Sequence, residues 1–231
     1  DMARFPPFAL RGIAAFSAEG IEFVQDFSRD GEQAIIEKFF GDFIGRFLDI
    51  GAYDGVTGSN SRALAMKGWS GLCVEPGPAQ FAKLVRLYQD YPPVELLHAA
   101  VICGGRIADY WDSDTANGHP CSSCVERIGV KRKAVRYKIT GVRASDIAGH
   151  FGMHWDFVSI DVEGMEADIL RECAPLLNAT KLLCVEECHF RTDTTERRCV
   201  RIARSLGFAT LVGKTVIHDH PDRFGNILMA R

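Results

Sequence analysis

Residues 46–58 read R-F-L-D-I-G-A-Y-D-G-V-T-G, and this stretch decides the fold. Phe47, Leu48 and Ile50 form a short apolar run of the kind a buried parallel strand requires. The run stops at Gly51, and Gly55 and Gly58 follow. A glycine there lets the backbone turn sharply and lets a ligand come close. From Asn60 onward, N-S-R-A-L-A-M-K-G reads as a helix. Strand, glycine turn and helix make the first unit of a nucleotide-binding α/β sheet.

The chemistry of the turn narrows the nucleotide. A dinucleotide site needs G-x-G-x-x-G, so that backbone can approach a pyrophosphate. Here Gly51, Ala52 and Tyr53 stand where two close glycines belong, and carboxylates at Asp49 and Asp54 would repel phosphate. Acids at a glycine turn suit a ligand with a cationic end. S-adenosylmethionine fits that description, with an ammonium, a sulfonium and no phosphate. Residues 69–78 repeat the pattern as W-S-G-L-C-V-E-P-G-P. Leu72, Cys73 and Val74 are a second buried strand, with Glu75 at its end and Pro76 next. An acid at that place is positioned to accept hydrogen bonds from both ribose hydroxyls of an adenosine.

The blocks F-L-D-I-G-A-Y-D-G, S-N-S, G-W-S-G-L-C-V-E-P and D-F-V-S-I-D-V-E-G-M-E occur together along residues 47–166. In combination they resemble the FkbM-type branch of the S-adenosylmethionine-dependent methyltransferases. The resemblance implies a class I, Rossmann-like α/β fold. That fold is a doubly wound, mostly parallel seven-stranded sheet with an antiparallel last strand. It also implies methyl transfer, usually to a hydroxyl oxygen. Asp49, Gly51, Ala52, Tyr53, Asp54, Glu75, Pro76, Ala100 and Asp161 are the residues expected to bind the cofactor.

With 231 residues the chain is long enough for one α/β domain with a substantial core. We expect a lead-in at 1–26 and one methyltransferase domain at 27–231, with an irregular insertion at 102–132. The 47% hydrophobic and 25% charged residues are those of an ordinary globular protein. A net charge of −3 gives no electrostatic footprint for nucleic acid. The basic run at 127–136 reads as a solvated loop or strand face. No apolar stretch is long enough to span a membrane. The eight cysteines show no small-scaffold disulfide pattern, which points to a reducing compartment and a cytoplasmic location. The C-S-S-C at 121–124 is half of a zinc site at most, because a structural site needs four ligands.

Along the chain, residues 1–25 read as helical or irregular, and 28–40 as a helix, which the resemblance implies covers the cofactor cleft. A helix at 79–88 and a third strand at 94–101 follow, and in such folds residues at this strand exit border the adenine, which makes His98, Ala99 and Ala100 candidates. The alternating V-R-Y-K-I-T at 135–140 is extended, and Ser145 caps a helix to His150. A fourth strand at 155–163 ends in Asp161 and Glu163, and a fifth at 181–187 ends in Glu187. A helix at 165–177, an arginine-rich helix and a final hairpin complete the pattern.

In a doubly wound sheet, ligands bind at the carboxyl ends of the strands. Asp49, Asp161, Glu163 and Glu187 would converge there, and buried carboxylates are costly unless paired. A hydroxyl needs help in losing its proton. Asp161, Glu187 and His189 are the candidates for that task. Oxygen ligands at these strand ends would also suit a divalent ion, although no metal is predicted. The expected acceptor is a small molecule or glycan, such as a sugar or secondary metabolite. The competing readings are an NAD-dependent oxidoreductase and a non-catalytic binding domain on the same fold.

Overall fold

The structure is a computed structural model, and it describes residues 12–17, 20–112, 124, 134–186, 198–212 and 225–231. Strands β1 (Gly12–Ser17) and β2 (Gly20–Gln25) pair antiparallel, with Ser17 opposite Gly20. Within the lead-in, residues 12–17 and 20–25 are therefore paired strands, not helical or irregular. Its Ile, Phe and Val residues favour the pleated backbone. Helix α1 (Glu32–Phe40) starts at Gly31 in the left-handed region and leads into β3 (Arg46–Ile50). Next come α2 (Arg62–Met66), β4 (Ser70–Val74), α3 (Pro78–Tyr88) and β5 (Val94–Leu97).

Strands β6 (Ala100–Val101), β7 (Ile107–Asp112) and β8 (Val135–Val142) form a separate three-stranded sheet in the order β6-β8-β7. The sequence leads us to expect a short hairpin within the irregular insertion, and β7, which lies in it, pairs antiparallel with β8. Helix α4 (Ala144–Phe151) is capped by Arg143 and Asp146, not by Ser145. The Asp146 carboxylate accepts the Arg143 backbone N–H at 2.9 Å. The chain continues through β9 (Phe157–Ile160), α5 (Glu166–Glu172), a 3-10 turn (Ala174–Leu177) and β10 (Leu182–Glu186). It ends with α6 (Arg198–Ser205), β11 (Ala209–Val212) and β12 (Asn226–Ala230).

The main sheet has seven strands in the order β11-β12-β10-β9-β3-β4-β5. The five strands from β10 to β5 are parallel, and β12 runs antiparallel between β10 and β11. This is the doubly wound sheet expected from the sequence. Each face buries its own core, because alternate residues of a strand point to opposite sides. On one face Leu48, Ile50, Val158 and Ile160 pack with Ile147, Ile169 and Ile202 of α4, α5 and α6. On the other, Phe47, Cys73 and Phe157 pack with Ile36, Leu64 and Leu84 of α1, α2 and α3. Parallel strands all present their carboxyl ends to one edge, and the order there reverses between β3 and β9. No helix among the described residues is long and apolar enough to cross a membrane.

Candidate active site

A cavity of about 720 Å³ opens at the carboxyl edge of the sheet. Its size falls within the roughly 300–1,000 Å³ of ordinary ligand sites. Residues from the ends of β3, β4 and β9 line it, together with residues 25–31 ahead of α1. Across β10, β9, β3 and β4 in spatial order, the strand ends carry Glu186, Asp161, Asp49 and Glu75.

The turn after β3 is built by close backbone approach. The Gly51 and Ala52 amides donate to the Val74 carbonyl at 2.9 and 3.2 Å. Gly51 has φ 87, and a side chain there would run into the Asp161 carbonyl oxygen. Tyr53 also holds a left-handed conformation, with φ 52. Its amide donates at 2.8 Å to Glu75 Oε2, while the Gly77 amide donates at 2.6 Å to Oε1. Glu75 is 4% exposed, and burial pushes its carboxyl up to about 8 against the pull of those two donors. Asp49 is also buried; burial lifts it to about 6, although Ser61 donates to its Oδ2 at 2.5 Å.

Asp161 and Glu163 follow β9, and Glu186 ends β10. Carboxylate oxygens of these three lie within 4.8 Å of one another. Oxygen donors so grouped are of the kind a hard divalent cation takes. Positive charge already reaches them from Arg29, whose Nη1 lies 3.5 Å from Glu186 Oε1. Burial raises the Asp161 pKa, and Arg29 opposes that rise. Glu163 sits at φ 55, in a turn tied down by Glu166. Glu166 Oε1 accepts the Val162 and Gly164 amides at 3.3 and 2.7 Å.

Of the expected cofactor residues, Asp49, Gly51, Ala52, Tyr53, Glu75, Pro76, Ala100 and Asp161 line the cavity. Asp54 does not. Its carboxylate accepts the Val56 and Thr57 amides at 3.0 and 2.8 Å and the Thr57 hydroxyl at 3.1 Å. It closes the glycine turn locally, as aspartates do in Asx turns. Glu187 and His189 lie outside the described residues, as does Cys121. Cys124 does line the cavity, where burial pushes its thiol up to about 11. The sequence reading did not single out Arg29, Asn60 or Glu186. Asn60, inside the S-N-S block, and Glu186, beside Glu187 at a strand end, carried local signals, and Arg29 did not.

The cavity chemistry fits a cationic cofactor. Six acids line it (Asp26, Asp30, Asp49, Glu75, Asp161, Glu163), against Arg29 as the sole basic lining residue among those described. A pyrophosphate would meet repulsion there. Asn60, also in the lining, keeps a buried carboxamide oxygen without a protein partner among the described residues.

Comparison with known proteins agrees with this geometry. The family model described as "Methyltransferase FkbM domain" matches residues 49–208. Methyltransferase FkbM from Methylobacillus flagellatus KT is similar in structure, with a TM-score of 0.52 and 15% identity. That match covers 89% of this chain and 48% of the other, so this chain spans about half of that protein. Aeropyrum pernix fibrillarin, solved with natively bound S-adenosyl-L-methionine, gives a TM-score of 0.50 at 14% identity, covering 96% of this chain and 83% of that one. No curated protein matches in sequence. The chain belongs to the FkbM methyltransferase family, on the fold of the class I S-adenosylmethionine-dependent methyltransferases.

Proposed function

We propose that this chain transfers a methyl group from S-adenosylmethionine to a hydroxyl oxygen of a small-molecule or glycan acceptor, with Asp161 as the base. The observation that carries the reading is the row of acids at four adjacent strand ends, three of them lining one cavity. Glu75 is placed for the ribose and Asp49 for the cationic end of the cofactor. When bound, the cofactor would supply a methyl group on positively charged sulfur. A hydroxyl is a weak nucleophile, so the chain must hold it in line and take its proton. Asp161 sits at the end of β9, beside β3, where it can do both. A raised pKa makes Asp161 a better proton acceptor than an ordinary surface aspartate. Arg29 favours its ionised form.

An NAD-dependent oxidoreductase is disfavoured by the acids and by the missing second glycine of the turn. The test is transfer of labelled methyl from S-adenosylmethionine to a panel of hydroxylated acceptors. On the acceptor it uses, Asp161→Asn should lose about 100-fold or more in kcat, with cofactor affinity little changed. A folded Asp161→Asn enzyme with near wild-type turnover would remove Asp161 from the mechanism. Activity abolished by chelator and restored by magnesium would place a metal, and not a bare carboxylate, at this position.

A further inference from the structure

The loop ahead of α1 is fastened to the ends of two neighbouring strands. At one point Arg29 Nη1 lies 3.5 Å from Glu186 Oε1 of β10. At the other, Glu32 Oε1 accepts the side-chain amide of Asn226 of β12 at 2.9 Å. Glu186 and Asn226 are partners in the antiparallel register, so their side chains stand side by side on one face of the sheet. Alternation puts Cys184 and Leu228 on that same face, where they share a core with Ile36 of α1. Glu32 is one helical turn before Ile36 and meets the same face. Gly31, with φ 85, turns the chain so that Glu32 Oε2 also accepts the Asp30 amide at 2.8 Å. Glu32 is buried, whereas the Arg29 side chain is half exposed. A half-exposed arginine gains little from one ion pair and has many rotamers, so its place depends on how its backbone is held.

On the reading that Asp161 is the base, we propose that Glu32 is a positioning residue for methyl transfer. Clamped to Asn226 and to the Asp30 amide, it holds Arg29 against Glu186 and Asp161. Asp161 and Glu186 are themselves adjacent, because the residues before them, Ile160 and Val185, are paired in register. Arg29 favours the ionised form of Asp161. Glu32 does not line the cavity, so it acts on the reaction only through this loop.

The experiment compares Glu32→Ala with Glu32→Gln. Both remove the same charge, so a difference between them reports the clamp alone. Glutamine can keep both bonds. Its oxygen accepts the Asp30 amide, and its NH2 donates to Asn226 Oδ1, which has no hydrogen-bond partner among the described residues, once the Asn226 amide turns over. Glu32→Ala should lower kcat by about tenfold or more, with S-adenosylhomocysteine affinity within about twofold of wild type. Glu32→Gln should stay within about threefold of wild type in kcat. In an Arg29→Ala background Glu32→Ala should cost nothing further, because the group it positions is gone. Crystal structures of the two variants should show Arg29 moved off Glu186 in Glu32→Ala and kept there in Glu32→Gln. Equal losses in the two variants, a Glu32→Ala loss repeated in full without Arg29, or a parallel loss of S-adenosylhomocysteine affinity overturns the assignment. Where Glu32→Ala does not fold, Asn226→Leu breaks the same clamp from the sheet and should reproduce its losses; failure of both to fold marks the clamp as structural and overturns it too. A wild-type chain that methylates no hydroxylated acceptor refutes the function proposed above. The clamp is then decided by the position of Arg29 alone, and an Arg29 unmoved in Glu32→Ala overturns it.

Discussion

Replacing Glu75 by glutamine should give a stability change whose size depends on pH. In the native state the carboxyl group receives the Tyr53 and Gly77 amides and is 4% exposed. Burial lifts it from an ordinary 4.5 to about 8. The folded protein therefore holds a proton on Glu75 at pH values where the unfolded chain has released it. Stability falls with rising pH wherever the native state binds more protons. This single group should thus cost the ligand-free protein roughly 3–5 kcal/mol between about pH 4.5 and pH 8, at about 1.4 kcal/mol for each pH unit.

Glutamine removes the titration. Its oxygen serves one of the two amides, but its NH2 faces the other donor. Near about pH 5, where wild-type Glu75 is neutral, Glu75→Gln should be less stable by roughly 1–3 kcal/mol for that lost bond. Near about pH 9 the wild type carries a buried charge that the variant lacks, so the gap should close or invert. Urea unfolding of both proteins at several pH values measures this directly. A stability difference that stays constant from about pH 5 to pH 9 would refute the claim that burial perturbs Glu75.

Gly51→Ala should cost well over 1 kcal/mol, because it combines φ 87 with a collision against the Asp161 carbonyl. Gly58→Ala, also at positive φ but with open space around it, should cost only about 1 kcal/mol in urea unfolding. Comparable losses at both positions would disprove the packing argument. Arg29→Ala should move the acid limb of the kcat/KM profile to higher pH, since Arg29 favours the ionised form of Asp161. An unmoved limb would mean that Asp161 ionisation does not control the rate.

The sheet was legible because its signals are local. A buried parallel strand needs a short apolar run, and β3, β4, β9 and β10 each supply one that closes on an acid. The boundary of such a run is less sharp. K-L-L-C-V-E-E offers two glutamates, and pairing with β12 keeps Glu186 as the last strand residue. Asp54 lies outside the cavity lining, and D-G-V-T is a readable turn: its carboxylate serves its own loop two and three residues on. The hairpin at Gly12–Ser17 and Gly20–Gln25 lacks strict alternation and so escaped notice. Arg29 was beyond reach for another reason. It meets Glu186 across 157 residues of chain, and no spacing pattern reports such a contact.

The acids at the carboxyl edge divide into two kinds, and this division explains how the cavity keeps its shape. Glu75, Glu166 and Glu32 are 4%, 4% and 2% exposed, and each accepts backbone amides from a loop that lines the cavity. Glu75 takes Tyr53 and Gly77, Glu166 takes Val162 and Gly164, and Glu32 takes Asp30. Each loop also contains a residue in the left-handed region: Tyr53, Glu163 and Gly31. For the two that are not glycine this costs on the order of 1–2 kcal/mol, and such backbone persists only where the surroundings hold it. The buried glutamates do that holding, since their oxygens receive amides at or beside the strained residues. Glu32 is itself held from the sheet, by Asn226 of β12 at 2.9 Å. Asp49, Asp161 and Glu163 line the cavity. A count of the buried acids at this edge therefore overstates the charge offered to a ligand. Glu75 alone belongs to both kinds, lining the cavity and fixing Tyr53, so a ligand that bonds its carboxylate also acts on the glycine turn.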